Sequence, residues 1–456
     1  MPISVLRERV RTRPQDRLQI GLILMIRMTK HLIVISFDGL SSVDFDFIKE
    51  LPHFQEYLRK ASYSKKVYSV YPSLTYPAHA TIVTGKYPKN HGVINNTLMQ
   101  WNKVKPDWYW QRKFIKGDTL YDLAITNGMK VAALLWPVTA KSKIQFNMPE
   151  VVANRPWQNQ ILLSLFNGTP IYQFVLNQKF GHLRNGLKQP YLDNFTHQSL
   201  LYTLRSKRPD LTLVHYVDLD SMRHYYGFHS IEARQALLRQ DQRLGDIMQT
   251  LKEENMYEES TIIVLGDHSS LDEDKVINLN VLLTQKGYLD LDPKGRITSY
   301  RAIAKSCDGS AYVYSNTGLI PEIRSLLEEF NRESNCLEAI YSNTEVIKLG
   351  ADPYCSLMLE ANKGYYFLDN AEGKLIDSVK HEQVGVVPHY TKAAHGYSPY
   401  KQDYTTVFIA AGKGIKEGIT LPEMNLVDEA PTIAKLLGVK LGEADGRILE
   451  EFLEDI

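Results

Sequence analysis

The chain has 456 residues, enough for one large α/β domain with insertions or for two domains of ordinary size. Its 53 lysines and arginines stand against 52 acidic residues, which excludes the global basic field behind non-specific nucleic-acid binding; a small charged substrate fits better than a polymer backbone. The three cysteines, Cys307, Cys336 and Cys355, are odd in number and lack a C-x-x-C spacing, which argues against a disulfide framework or a thiolate zinc site.

In chain order, residues 1–27 read as an N-terminal extension. A basic run at 7–17 precedes an apolar run at 21–26 that is too short for a signal core or a membrane span, and no small-residue cleavage pattern follows. Met28 is therefore expected as the native start, the cytoplasm as the location, and no membrane as a partner. HLIVISFDG reads as a buried strand that delivers Asp38 at its tip. Residues 45–60 read as a helix, a second helix follows Thr75, and residues 130–136 read as a strand. Residues 171–204 look helical and peripheral. LTLVHYVDLD reads as a strand ending on Asp220, residues 231–251 as a helix, and TIIVLGDH as a strand ending on Asp267, directly before His268.

This alternation predicts an α/β fold with a doubly wound, mostly parallel sheet and helices on both faces. Between residues 288 and 387 the pattern changes to short alternating runs such as SAYVYS and GYYFLDN around a helix at 321–332, as expected of a smaller inserted α+β subdomain. TTVFIAAG and LVDEAPTIAKLLG then return to core strand and helix, so residues 28–287 and 388–456 are expected to form the catalytic core.

Ligands of open α/β sheets gather at the carboxyl ends of the strands, so three carboxylates delivered there suggest a metal site. His224 lies four residues after Asp220, His268 adjoins Asp267, and His395 lies in AAHGYSP. A lone histidine is more often a surface or core residue, but carboxylate and imidazole ligands without thiolates suit zinc first and manganese next. In VYPSLTYPAHATIVTGKYPKNHGVINN, Thr75 stands at a helix start with Pro77 in the first turn. It reads either as an N-cap or as a nucleophile whose alkoxide the helix terminus would stabilise together with an incoming phosphate. A hydroxyl needs a base or a metal to attack at neutral pH.

These segments together resemble the type I phosphodiesterase / nucleotide pyrophosphatase branch of the alkaline phosphatase superfamily, over nearly everything from Met28 onward. The resemblance rests on VISFDG, PSLTYPAHATIVTGKYPKNHGVINN, the Asp220-x-x-x-His224 spacing, Asp267-His268, His395-Gly396-Tyr397 and NLVDEAPTIAKLLGVKLGEADGR. It implies two divalent metal ions, zinc foremost, one held by Asp38, Thr75, Asp267 and His268 and the other by Asp220, His224 and His395. It further implies Thr75 as nucleophile through a phosphothreonine intermediate, and Asn96 with the Tyr76 N–H on a non-bridging phosphoryl oxygen. Tyr76 matches a position where the family offers an aromatic face to a base.

The resemblance implies a small phosphodiester or nucleotide substrate and hydrolysis of a diester or phosphoanhydride bond. The Lys-x-Arg pair of threonine-dependent monoesterases has no counterpart in LLWPVTAKSKIQFNMPE, where only Lys141 and Lys143 could stand in. Monoester or phosphonate hydrolysis is the alternative, followed by phosphoryl transfer or binding without turnover. Two positions depart from the family's glycines: Ser269, after the Asp-His pair, and Arg223, which is expected to reach solvent.

Overall fold

The computed structural model describes residues 26–103, 105–387 and 389–455; most of the N-terminal extension lies outside them. Eight strands build the main sheet: β1 (His31–Phe37), β2 (Ser62–Tyr68), β3 (Val131–Leu134), β4 (Phe146–Met148), β5 (Leu211–Tyr216), β6 (Ser260–Leu265), β7 (Thr406–Gly412) and β8 (Met424–Asn425). Their order is β8-β2-β7-β6-β1-β5-β3-β4, and every pairing is parallel except the two made by β7. The expected doubly wound α/β architecture is therefore present, with one antiparallel strand.

Strands β1, β5 and β6 are buried at every position. Their apolar side chains alternate between two cores, Leu32 and Val34 on one face and Ile33 and Ile35 on the other, as strands covered by helices on both sides require. The helices used below are α1 (Thr75–Thr84), α2 (Gln160–Asn167), α3 (Pro170–Phe180), α4 (Tyr191–Lys207), α5 (Asp218–Tyr226), α6 (Ile231–Glu253) and α7 (Glu429–Leu437).

Two helical expectations were too simple. The helix expected at 45–60 is broken into Phe45–Ile48 and Pro52–Leu58, because Pro52 lacks the N–H that a continuous helix would need there. The segment expected as helical at 171–204 divides into α3 and α4 around Gly181, Gly186 and Pro190.

Between β6 and β7 a separate four-stranded antiparallel sheet orders Ala302–Cys307, Ser310–Ser315, Leu357–Ala361 and Leu337–Ser342 side by side. It packs with the helix Ile320–Ser334 around its own apolar cluster, which includes Ile303, Val313, Leu327 and Leu359. That cluster extends back to Ile277 and Leu283. Among the described residues no helix is long and apolar enough to cross a membrane.

Candidate metal centre

Three chain segments leave the carboxyl edge of the central strands and bring their acids together. Asp38 follows β1 directly, and its N–H donates to the Tyr216 carbonyl at 2.9 Å. Asp267 comes two residues after β6; its Oδ1 accepts from the N–H groups of Gly39 and His268, each at 3.0 Å. Asp220 differs from expectation, since β5 ends at Tyr216 and Asp220 is the third residue of α5. Helical spacing puts Asp220 and His224 on one face, with His224 Nε2 3.2 Å from Asp220 Oδ2. Gly39 (φ +73) makes this approach possible, because a Cβ there would stand 3.4 Å from that of Asp220.

Each of the three aspartates keeps one buried oxygen without a hydrogen-bond partner: Asp38 Oδ1, Asp220 Oδ1 and Asp267 Oδ2. A buried, unsatisfied carboxylate oxygen costs at least about 1–3 kcal/mol, so three in one place call for a cation. Histidine nitrogens meet them. His268 Nε2 lies 3.4 Å from Asp38 Oδ1, 3.3 Å from Asp267 Oδ2 and 3.2 Å from Thr75 Oγ1. Its Nδ1 donates to the Ser269 carbonyl at 3.1 Å, which leaves Nε2 with the lone pair. Donor atoms of Asp220, His224 and His395 form one set within 4.8 Å of one another, and those of Asp38, Asp220 and His268 form another. Asp220 therefore borders both sets, and the rings of His268 and His395 are 4.2 Å apart.

The electrostatics agree. Burial, reinforced by Asp267 and Asp220, pushes Asp38 up to about 7. Burial also opposes charge on Asp220, yet His224 and His395 outweigh it and hold this carboxyl below the usual range. The oxygen donors and imidazoles present are those that Zn²⁺ or a similar divalent ion takes.

Thr75 is not an N-cap. Leu74 holds that position, Thr75 opens α1, and its Oγ1 turns to His268 instead of the helix backbone. The Tyr76 N–H donates to Asn96 Oδ1 at 2.9 Å, so it orients the Asn96 amide with Nδ2 as the remaining donor. The Tyr76 ring, expected as a face for a base, is 1% exposed and packs edge-on against Trp108, so it belongs to the core. Arg223 does not reach solvent: its guanidinium is buried, pairs with Asp44 at 2.6 Å, bonds the Gly39 carbonyl and stacks on Phe228. Lys141 is exposed, with Nζ on the Phe166 carbonyl, and Lys143 is exposed as well.

Three further residues escaped the sequence reading. His215, in β5, bridges two carboxylates: Nε2 donates to Asp38 Oδ2 at 3.0 Å and Nδ1 to Glu150 Oε2 at 3.1 Å. Burial would lower its pKa, but Asp38 and Glu150 prevail and raise it well above the ordinary value. Asp308, in the two-residue turn between Ala302–Cys307 and Ser310–Ser315, places Oδ2 3.5 Å from His395 Nδ1. A polar residue inside the apolar run LTLVHYV signals a buried partner; Asp308-Gly309 signals only a turn.

Residues 32–398 match the profile of the family described as type I phosphodiesterase / nucleotide pyrophosphatase. The chain is 23% identical over 435 residues to bis(5'-adenosyl)-triphosphatase ENPP4 of Pongo abelii, which covers 90% of this chain and 78% of that protein. It is 26% identical over 231 residues to human ectonucleotide pyrophosphatase/phosphodiesterase family member 1, covering 48% of this chain but only 21% of that protein. The murine ectonucleotide pyrophosphatase/phosphodiesterase 5 structure superposes with a TM-score of 0.65 at 19% identity, over 93% of this chain and all of that one. An inactive form of the same murine protein in complex with AMP gives a TM-score of 0.64 at 19% identity, with the same coverage of both chains. With the profile spanning most of its length, the chain belongs to the type I phosphodiesterase / nucleotide pyrophosphatase family, hydrolases of the alkaline phosphatase superfamily.

Proposed function

We propose that the protein hydrolyses a small phosphodiester or nucleotide pyrophosphate through a phosphothreonine on Thr75, at a centre that holds two zinc ions. The observation that carries this reading is the position of Thr75 Oγ1, 3.2 Å from His268 Nε2 beside the unpartnered oxygens of Asp38 and Asp267. Asp38, Thr75, Asp267 and His268 would hold one ion, and Asp220, His224 and His395 the other. When bound, the pair of ions would supply Lewis acidity to the attacking and departing oxygens.

The chain's own groups do the rest. Thr75 is 8% exposed, so its hydroxyl meets phosphorus with little competing water. The α1 N-terminus favours negative charge on the phosphoryl oxygens, and Asn96 Nδ2 donates to one of them. The Tyr76 N–H acts through Asn96, whose orientation it sets. In-line attack forms the Thr75 Oγ1–P bond as the ester or anhydride oxygen departs with the hydroxyl's proton; water then cleaves that bond, its oxygen going to phosphorus and a proton to Thr75 Oγ1.

A diester suits the site better than a monoester. The Arg223 guanidinium is committed to Asp44, and Lys141 to the Phe166 carbonyl, so neither offers charge to a dianionic phosphate. The division of the chain into a core, residues 28–287 and 388–456, and an insert, residues 288–387, is likewise proposed, with the four-stranded antiparallel sheet formed wholly within the insert as its support.

The test is a comparison of initial rates on zinc-loaded protein with a dinucleoside triphosphate, bis(p-nitrophenyl) phosphate and p-nitrophenyl phosphate. The first two are expected to turn over fastest. A dominant rate on the monoester would overturn the substrate class.

A further inference from the structure

A different surface, independent of the reading of the active site, lies beyond the edge strand β4. There α2 and α3 pack against each other and close the end of the sheet. One face of α3 is fully used: Tyr172 and Leu176 enter the core, the Tyr172 ring lies 5.6 Å from that of Phe146, and its hydroxyl bonds Thr203 Oγ1 at 2.7 Å. That packing turns Ile171 and Phe174, three residues apart, to solvent. On α2, Ile161, Leu162 and Phe166 fall within an arc of about 140° and are exposed too, and Trp157 stands just before the helix.

Exposure here is extreme: Trp157 and Ile171 are 80% exposed and Phe166 68%. Six of the 21 large apolar side chains exposed among the described residues fall within positions 157–174. With roughly 150–250 Å² available on each aromatic, the six present on the order of 800 Å². A monomer seldom leaves more than a few hundred Å² of contiguous apolar surface in water, whereas each partner in a stable complex buries about 800 Å².

Charge selects the occupant. Helix α2 carries no charged residue and α3 carries one, Lys179. The solvent-facing polar positions within the patch are the amides Asn159 and Gln178, while Lys179 and Lys141, whose Nζ bonds the Phe166 carbonyl, stand at its rim, as the polar border of a protein interface does. Helices that lie on lipid headgroups carry lysine and arginine along the polar face, whereas the centre of a protein interface is aromatic, aliphatic and depleted of charge. We propose that this face docks a second copy of the chain, so that α2 and α3 of the two copies meet across a twofold axis in an isologous homodimer.

Sedimentation equilibrium on the full chain tests this. One chain weighs 52.2 kDa, and a species of twice that mass is expected at concentrations in about the micromolar range or below. Phe174→Lys and, separately, Trp157→Ser should each weaken self-association by at least about tenfold, as loss of a central aromatic does. Because Trp157 stands outside both helices, that variant keeps the test valid should a charge on α3 disturb its helix; an unchanged far-UV spectrum verifies the fold. A wild-type chain monomeric throughout, or a dimer that both variants leave intact, overturns the proposal. So does a monomer that co-sediments with phosphatidylglycerol vesicles, which would assign the face to a membrane.

Discussion

At the scale of single residues, the site rests on side chains that hold other side chains. His215 fixes one oxygen of Asp38 and leaves Oδ1 free, so His215→Phe should weaken zinc binding by about 10–100-fold, read by competition with a chromophoric chelator. Unchanged affinity would show that Asp38 needs no such anchor. Thr75→Ala removes the proposed nucleophile while leaving a residue that α1 accepts; diester hydrolysis should fall at least about a thousandfold with the fold intact. Near-normal turnover would reject the assignment. His91 is buried, with Nε2 on Thr81 Oγ1 and Nδ1 accepting from the Val93 N–H, and burial pushes its pKa down to about 3. Its folded value lies below the unfolded one, so its contribution to stability is full above about 6.5 and is lost as pH falls towards 3. His91→Gln should flatten this acid limb by up to about 1.4 kcal/mol per pH unit in urea titrations; an unchanged slope would mean that His91 takes up its proton equally in both states. The candidate ligand positions could be singled out in the sequence because short motifs carry them. The contacts of Arg223, Tyr76 and His215 could not, since whether a side chain reaches water or a partner depends on segments far away in sequence.

At the scale of elements, loops at the strand ends do the positioning. The segment bearing His395 is held where Gly396 passes the insert: its φ is +82, and a Cβ there would fall 1.8 Å from the Cys307 carbonyl oxygen. Gly396→Ala should therefore cost about 2–4 kcal/mol, combining left-handed strain with the clash, and should weaken zinc binding as His395 is displaced. Wild-type urea midpoint and zinc affinity together would contradict this. The strands β1, β5 and β6 were readable as apolar runs, and Asp38 and Asp267 with them. Asp220 was read onto a strand because LTLVHYVDLD stays apolar up to Val217, although its last acids already belong to α5. The break at Pro52 was visible in the sequence; the contact of Asp308 with His395 was not, because 87 residues separate the two and neither carries a local signal of the other.

At the scale of the whole molecule, three acids that crowd one sheet edge would couple a bound metal to the fold. Stripping the protein with a chelator should abolish hydrolysis and lower the melting temperature, and zinc should restore both. Binding at a thousandfold excess over Kd adds about 4 kcal/mol. Full activity in a metal-free sample would remove the two-metal reading. The same molecule has a topology with a cost during synthesis. Strand β2 joins the rest of its sheet only through β7, which arrives some 340 residues later, and His395 comes just before it. A nascent chain that has not yet emitted residue 412 therefore leaves both β2 and β6 with a bare edge, open to pairing with a neighbouring polypeptide. Synthesis of this enzyme thus runs through a long vulnerable interval in which chaperone protection matters most, and the candidate site stays incomplete until His395 has emerged.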